Sequence, residues 1–228
     1  MAEALNVPPA GALALEVAGE SMCALPERAL YWPSRAMLLV ADPHWGKAAA
    51  FRAGGLAVPE AGTSADLERL GRALAATGAE RLVFLGDFWH ARAGRSSEVL
   101  DALRRWRERH CELTVELVRG NHDRHAGDPP EEFSIRSVEA PFDEAPFRLA
   151  HFPEPDPSGY VLAGHLHPAV HLRGAGRGRE RLRLPCFHFG PQVGVLPAFG
   201  SFTGHATVRP AAGDRVLVVA DERVIEIS

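Results

Sequence analysis

Three apolar runs set the plan of the chain. Residues 36–41 (Ala-Met-Leu-Leu-Val-Ala) are continuously apolar and end in Asp42, a length that predicts a strand buried on both faces. Residues 81–85 (Arg-Leu-Val-Phe-Leu) repeat the pattern and end in Gly86-Asp87. Residues 113–117 alternate as a strand and lead into Arg119-Gly120-Asn121-His122-Asp123. Between the first two runs, Leu67, Leu70 and Leu74 share a helical face, with Thr63 and Asp66 spaced for a capping box and Gly78 as the stop. Between the second and third, Ser96 or Ser97 opens a helix whose inner stripe is Val99, Leu103 and Trp106, with Arg104, Arg105, Arg107 and Arg109 outside. A short helix is expected from about Lys47 to Phe51, and short strands at 13–17 and 29–32. Strand, helix, strand, helix, strand predicts parallel pairing with right-handed crossovers. Ligands of such sheets bind beyond the carboxyl ends of the strands, which places Asp42, Asp87 and Asn121 along one edge.

After Asp128-Pro129-Pro130 the pattern changes. Helical periodicity disappears, and 147–151, 160–165, 181–184, 216–219 and 223–227 read as strands, the first two ending in His151 and His165. The expectation is α/β (α+β by some schemes): a four-layer α-β-β-α sandwich of two mixed sheets with helices outside. The site lies at strand C-terminal ends, and residues 1–228 form a single domain.

Composition adds limits. An apolar fraction of 46%, a charged fraction of 24% and a net charge of −4 describe an ordinary globular chain without a global basic field. Cys23, Cys111 and Cys186 form no CxxC pair, so buried free thiols are expected rather than a disulfide framework or zinc ribbon. With no secretory pattern and no long apolar run, the expectation is a cytoplasmic protein without a membrane partner. Eleven histidines against two tyrosines are the oddity that invites a search for metal ligands.

Alone, Gly120-Asn121-His122-Asp123 serves a turn as well as a site. Beside Asp42, His44, Asp87, His151, His165 and His167 it completes a mixed oxygen and nitrogen donor set, suited to Mn, Fe or Zn. The set is too large for one tetrahedral ion and about right for two ions sharing a carboxylate. Lys47 and Arg52, just after the first polar loop, are candidates to meet a phosphodiester. His90 is a candidate for a substrate or supporting role, His171 and His188 less so. The Gly-Arg stretch 173–181 is positive, yet it lacks the interleaved aromatic residues of a stacking platform.

Asp42-x-His44, Gly86-Asp87, Gly120-Asn121-His122-Asp123, His151 and Gly164-His165-x-His167, in that order, resemble the motif series of the calcineurin-like metallophosphoesterases. The resemblance implies two divalent ions: Asp42, His44 and His167 on the first, Asn121, His151 and His165 on the second, and Asp87 bridging. It makes His122 the group that serves the leaving oxygen, Asp123 the one that orients His122, and a metal-bridging hydroxide the in-line nucleophile. Leu25-Pro26-Glu27-Arg28, Gly86-Asp87-Phe88-Trp89-His90, Pro185-Cys186-Phe187 and residues 196–204 are similar, more narrowly, to the bacterial ligase-associated metallophosphoesterases. That likeness implies a nucleic-acid phosphodiesterase or endonuclease in DNA repair, linked to an ATP-dependent DNA ligase, a helicase and an exonuclease. Pro43, Trp45 and His205 depart from the narrower pattern. A phosphomonoesterase or small cyclic-nucleotide diesterase, and a non-catalytic scaffold, are the other readings.

Overall fold

The computed structural model describes residues 7–58, 62–173 and 181–227. The first half builds one mixed sheet in chain order: β1 (Leu13–Val17), β2 (Glu20–Ala24), β3 (Leu30–Trp32), β4 (Met37–Val40), β5 (Arg81–Leu85), β6 (Thr114–Val118) and β7 (Ile135–Val138). The strands from β1 to β4 pair antiparallel, and those from β4 to β7 parallel. The parallel half needs crossovers, supplied by α1 (Lys47–Ala53) with α2 (Gly62–Thr77), then α3 (Ser97–Arg109), then the short α4 (Asn121–Ala126).

The second half builds the other sheet from β8 (Phe142–Glu144), β9 (Phe147–Leu149), β10 (Tyr160–Ala163), β11 (Pro168–Arg173), β12 (Arg181–Phe189), β13 (Val193–Val195) and β14 (Ala206–Thr207). Its spatial order is β14-β11-β12-β13-β10-β9-β8, and a hairpin of β15 (Arg215–Ala220) and β16 (Arg223–Glu226) joins through β12.

Strand periodicity explains why β4 is apolar throughout. Met37 and Leu39 face the other sheet, packing with Trp32, Leu85, Phe147, Leu149, Phe187 and Leu217. Leu38 and Val40 face the helices, packing with Leu70 and Leu74 of α2 and Leu103 and Trp106 of α3. Two mixed sheets with flanking helices are therefore present as expected. Ser96 caps α3, accepting from the Val99 N–H, and Gly78 (φ +64°) closes α2. No helix among the described residues is long and apolar enough to cross a membrane.

Several local expectations need correction. The helix α2 starts at Gly62, and Asp66 does not close a capping box; it accepts from the Ser201 N–H at 3.0 Å and pairs with Arg69 at 2.8 Å, fixing the 199–205 loop. Arg107 is not on the outer face of α3; it is buried and donates to the carbonyls of Phe133 and His110. The strand at 181–184 continues through Pro185 to Phe189. Pro185 stands where β12 exchanges its partner β11 for β15, so its missing N–H falls at a changeover in the ladder. Strand β2 and helix α4 were not expected. Cys23 and Cys186 are buried, but Cys111 is exposed. The Gly-Arg stretch lies largely outside the described residues.

Candidate metal centre

Five loops at strand ends meet at one point. Asp42 and His44 follow β4, Asp87 follows β5, Asn121 and His122 open α4 after β6, His151 follows β9, and His165 and His167 follow β10. Asp42, His44, Asp87, His165 and His167 all have φ between +47° and +67°, half of the ten non-glycine residues with positive φ among the described residues. Such backbone costs about 1–3 kcal/mol per residue and gathers at functional sites.

The first two loops are zipped together. Asp87 O accepts from the His44 N–H at 2.9 Å, Phe88 O from Trp45 at 2.9 Å, and Trp45 O from His90 at 3.2 Å. Trp45, fully buried, packs edge-on to Phe84 and Phe88. Trp45, by its backbone bonds and its buried ring, thus fastens the Asp42–His44 loop to the Asp87 loop. Gly120 lies so close to Asp87 and His151 that a Cβ there would overlap Asp87 Oδ1 and stand 2.6 Å from the Asp87 nitrogen. Gly164 lies against the Asp42 carboxylate in the same way. These two motif glycines make room for the carboxylates.

Among the described residues three clusters of donor atoms result: Asp42, His44 and His167; Asp87, His151 and His165; and His44, His90 and His122, the last without a carboxylate. In the first, the His44 and His167 Nε2 atoms face each other at 3.3 Å, with Asp42 Oδ2 3.7 Å from His167 Nε2. In the second, His151 Nε2 lies 2.9 Å from Asn121 Oδ1, 3.1 Å from His165 Nδ1 and 3.5 Å from Asp87 Oδ1. Asp87 joins these two, its Oδ2 lying 3.7 Å from His44 Nε2.

Backbone carbonyls set the tautomers. Leu85 O accepts from His151 Nδ1 at 3.1 Å, Gly204 O from His167 Nδ1 at 3.0 Å, and His90 O from His122 Nδ1 at 2.6 Å. In the neutral rings each bond leaves Nε2 bare, and those of His151 and His167 point into the clusters, the arrangement metal-ligating histidines use. Nothing supplies a proton between Asn121 Oδ1 and the bare His151 Nε2, and Asp42 Oδ1 is buried without a hydrogen-bond partner, with His151 Nδ1 3.6 Å away. Burial and the charge of Asp42 push Asp87 up to about 8, while burial and neighbouring imidazoles push His44 down to about 2. Converging lone pairs, the imidazoles of His44 and His151 kept neutral by burial, and two crowded carboxylates are a donor set that cations stabilise, so the residues fit divalent metal ions.

His122 belongs to neither carboxylate-bearing cluster, but its ring groups with those of His44 and His90. Its Nε2 lies 3.9 Å from Asp87 Oδ2, its N–H donates to Asp87 Oδ1 at 2.9 Å, and the side chain is 35% exposed. Asp123 does not orient it. The buried Asp123 carboxylate accepts from Gly120 N–H at 2.9 Å and Trp89 N–H at 3.3 Å, capping α4 and tethering the 88–90 loop. The peptide carbonyl of His90 takes the role expected of Asp123, and the His90 ring stacks on His122 at 5.1 Å. Burial, with Lys47 and His122 nearby, pushes His90 down to about 4. Lys47 opens α1 with Nζ 6.0 Å from the Phe51 ring, and Arg52 donates to Val58 O. His188 pairs with Asp214 at 2.7 Å, and His171 is exposed on β11.

The calcineurin-like phosphoesterase profile matches residues 36–191. The crystal structure of Pseudomonas putida nuclease MPE is 45% identical and covers 95% of this chain and 100% of its own, with a TM-score of 0.83. Yfce, a phosphoesterase from E. coli, matches at 17% identity over 84% of this chain and 97% of its own, with a TM-score of 0.38. No match was found among curated proteins. With the profile spanning the strand-end residues from Asp42 to His167, this chain belongs to the calcineurin-like phosphoesterase family.

Proposed function

We propose that this metal-dependent phosphoesterase, a single domain, hydrolyses phosphodiester bonds in nucleic acid. The observation that carries the finer reading is 45% identity over nearly the whole chain to a protein described as a nuclease. Asp42, His44 and His167 hold one divalent ion in this reading, Asn121, His151 and His165 a second, and Asp87 belongs to both. Manganese is the assignment, with iron and zinc also suited to the donor set. Bound there, the ions would supply charge for the phosphoryl oxygens and a water that ionises near neutral pH.

The chain's own residues do the rest. The clamp of loops 42–45 and 87–90 fixes the donors relative to one another, so that binding substrate costs little reorganisation. His122 is reachable from solvent, with Nδ1 held by the His90 carbonyl; protonated at Nε2, it donates to the departing oxygen. A place in DNA repair beside an ATP-dependent DNA ligase, a helicase and an exonuclease is proposed on the sequence resemblance alone.

The test compares metal-dependent rates on a chromogenic phosphodiester and its monoester, then on DNA and RNA strands. The reading requires diester to exceed monoester and at least one nucleic acid to be cut. Monoester preference with no cleavage of either strand would replace it with a phosphomonoesterase.

A further inference from the structure

Large apolar side chains at the surface are unremarkable when scattered, but clustered around a polar site they need a reason. Three of the eight exposed ones among the described residues stand on the loops of the metal centre. Phe152 follows His151, Leu166 separates His165 from His167, and Phe202 lies in the loop whose Gly204 carbonyl holds His167.

The two rings are placed differently. Phe152, 41% exposed, lies edge-on to His151 at 4.9 Å and His165 at 4.6 Å, beside the second donor cluster. Phe202, 45% exposed, stands edge-on to Phe51 at 5.6 Å, and Phe51 in turn meets His90 at 5.6 Å. Lys47 Nζ sits 6.0 Å from both the Phe51 and Phe202 rings, so a cation accompanies the ring on this side. The Phe202 loop is held from beneath by Asp66, through the Ser201 N–H, and so presents its ring from a braced position.

We infer that Phe152 and Phe202 are base-stacking platforms, one beside each carboxylate-bearing cluster, that receive the nucleobases flanking the scissile phosphate. The inference rests on the nucleic-acid reading above and names how that substrate is gripped. A phosphodiester alone gives apolar rings nothing to bind, whereas every nucleobase presents a π-face, and stacking on an aromatic ring is indifferent to sequence. Lys47, between Phe51 and Phe202, meets the neighbouring backbone phosphate.

The experiment crosses ring removal with base removal. Single-stranded oligonucleotides carrying one cut site, intact or with abasic nucleotides on either side of it, are cleaved by wild type, Phe152→Ala, Phe202→Ala and the two Phe→Tyr variants. Each Ala variant is expected to lose about 5- to 150-fold in kcat/KM on the intact strand, the range for loss of one stacked base. Each should lose little more on the strand abasic on its side, and Tyr should restore cleavage. A wild type indifferent to the abasic sites, or Ala losses equal on both strands, would overturn the assignment. Hydrolysis of a small chromogenic diester with no cleavage of any strand would instead remove the nucleic-acid reading, and this inference with it.

Discussion

Gly120→Ala is a one-carbon probe of how tightly the centre is built. Gly120 has φ −93° and ψ −178°, a conformation alanine adopts freely, so the backbone itself resists nothing. The added Cβ would overlap Asp87 Oδ1, stand 2.6 Å from the Asp87 nitrogen and 3.0 Å from His151 Nδ1. Ordinary contact begins near 3.4 Å, so the Asp87 backbone must retreat by about 0.8 Å (3.4 − 2.6). Neither neighbour yields easily: both side chains are buried, and the Asp87 carbonyl is bonded to His44. Overpacking of this kind costs ~1–3 kcal/mol of stability. A displacement approaching 1 Å at reacting groups can cost ~10²-fold in rate. Disturbing the support of ligands typically weakens metal binding by ~10–100-fold. The assay is paired: manganese affinity by calorimetry, and hydrolysis of a chromogenic phosphodiester at saturating metal, with urea unfolding alongside. Gly62→Ala, where a Cβ meets nothing within 4 Å, is the control; it should leave metal affinity and rate unchanged and stability equal to wild type or up to about 1 kcal/mol higher, alanine being the better helix former. A Gly120→Ala protein with wild-type metal affinity and a rate within about twofold of wild type would show that the close approach is not what positions Asp87.

His122→Ala should retain its metal while losing ~10²–10⁴ in rate, the range for a positioned acid, and metal analysis beside kinetics decides between that and loss of the centre itself. Asp123→Ala removes the cap of α4 and the tether on Trp89, so urea unfolding should show a loss of ~1–3 kcal/mol; a purely kinetic defect at unchanged stability would return Asp123 to the service of His122. Trp45→Ala, at a fully buried ring, should cost ~3–5 kcal/mol and weaken metal binding as the two loops part.

What could be read from the chain follows physical range. The runs ending in Asp42 and Asp87 were legible because burial on both faces writes a continuous apolar pattern, and parallel topology then dictates which strand ends meet. The leucine face of α2 and a serine cap of α3 at 96 or 97 are local, and they too were visible; the structure selects Ser96. Asp66 was misread because a side chain spaced for a capping box is equally spaced for solvent, or for Ser201 far along the chain. Asp123 was misread for the opposite reason: adjacency to His122 suggested contact, but successive residues on α4 point in different directions. The carbonyls of Leu85, His90 and Gly204 fix three imidazoles and leave no trace in residue identity, since every residue has a carbonyl. Strand β2, Glu-Ser-Met-Cys-Ala, has no clean alternation because its C-terminal half packs on both faces. The strand expected at 181–184 runs on through Pro185, which the exchange of partners along β12 accommodates.

The central claim is that Asp87 is shared by two ions in one centre. Electron paramagnetic resonance of the protein titrated with Mn(II) tests this most directly. The account predicts two ions per chain with an exchange-coupled signal, and loss of that coupling in Asp87→Asn. A single ion at saturation, two uncoupled ions in the wild type, or coupling that survives Asp87→Asn would contradict it.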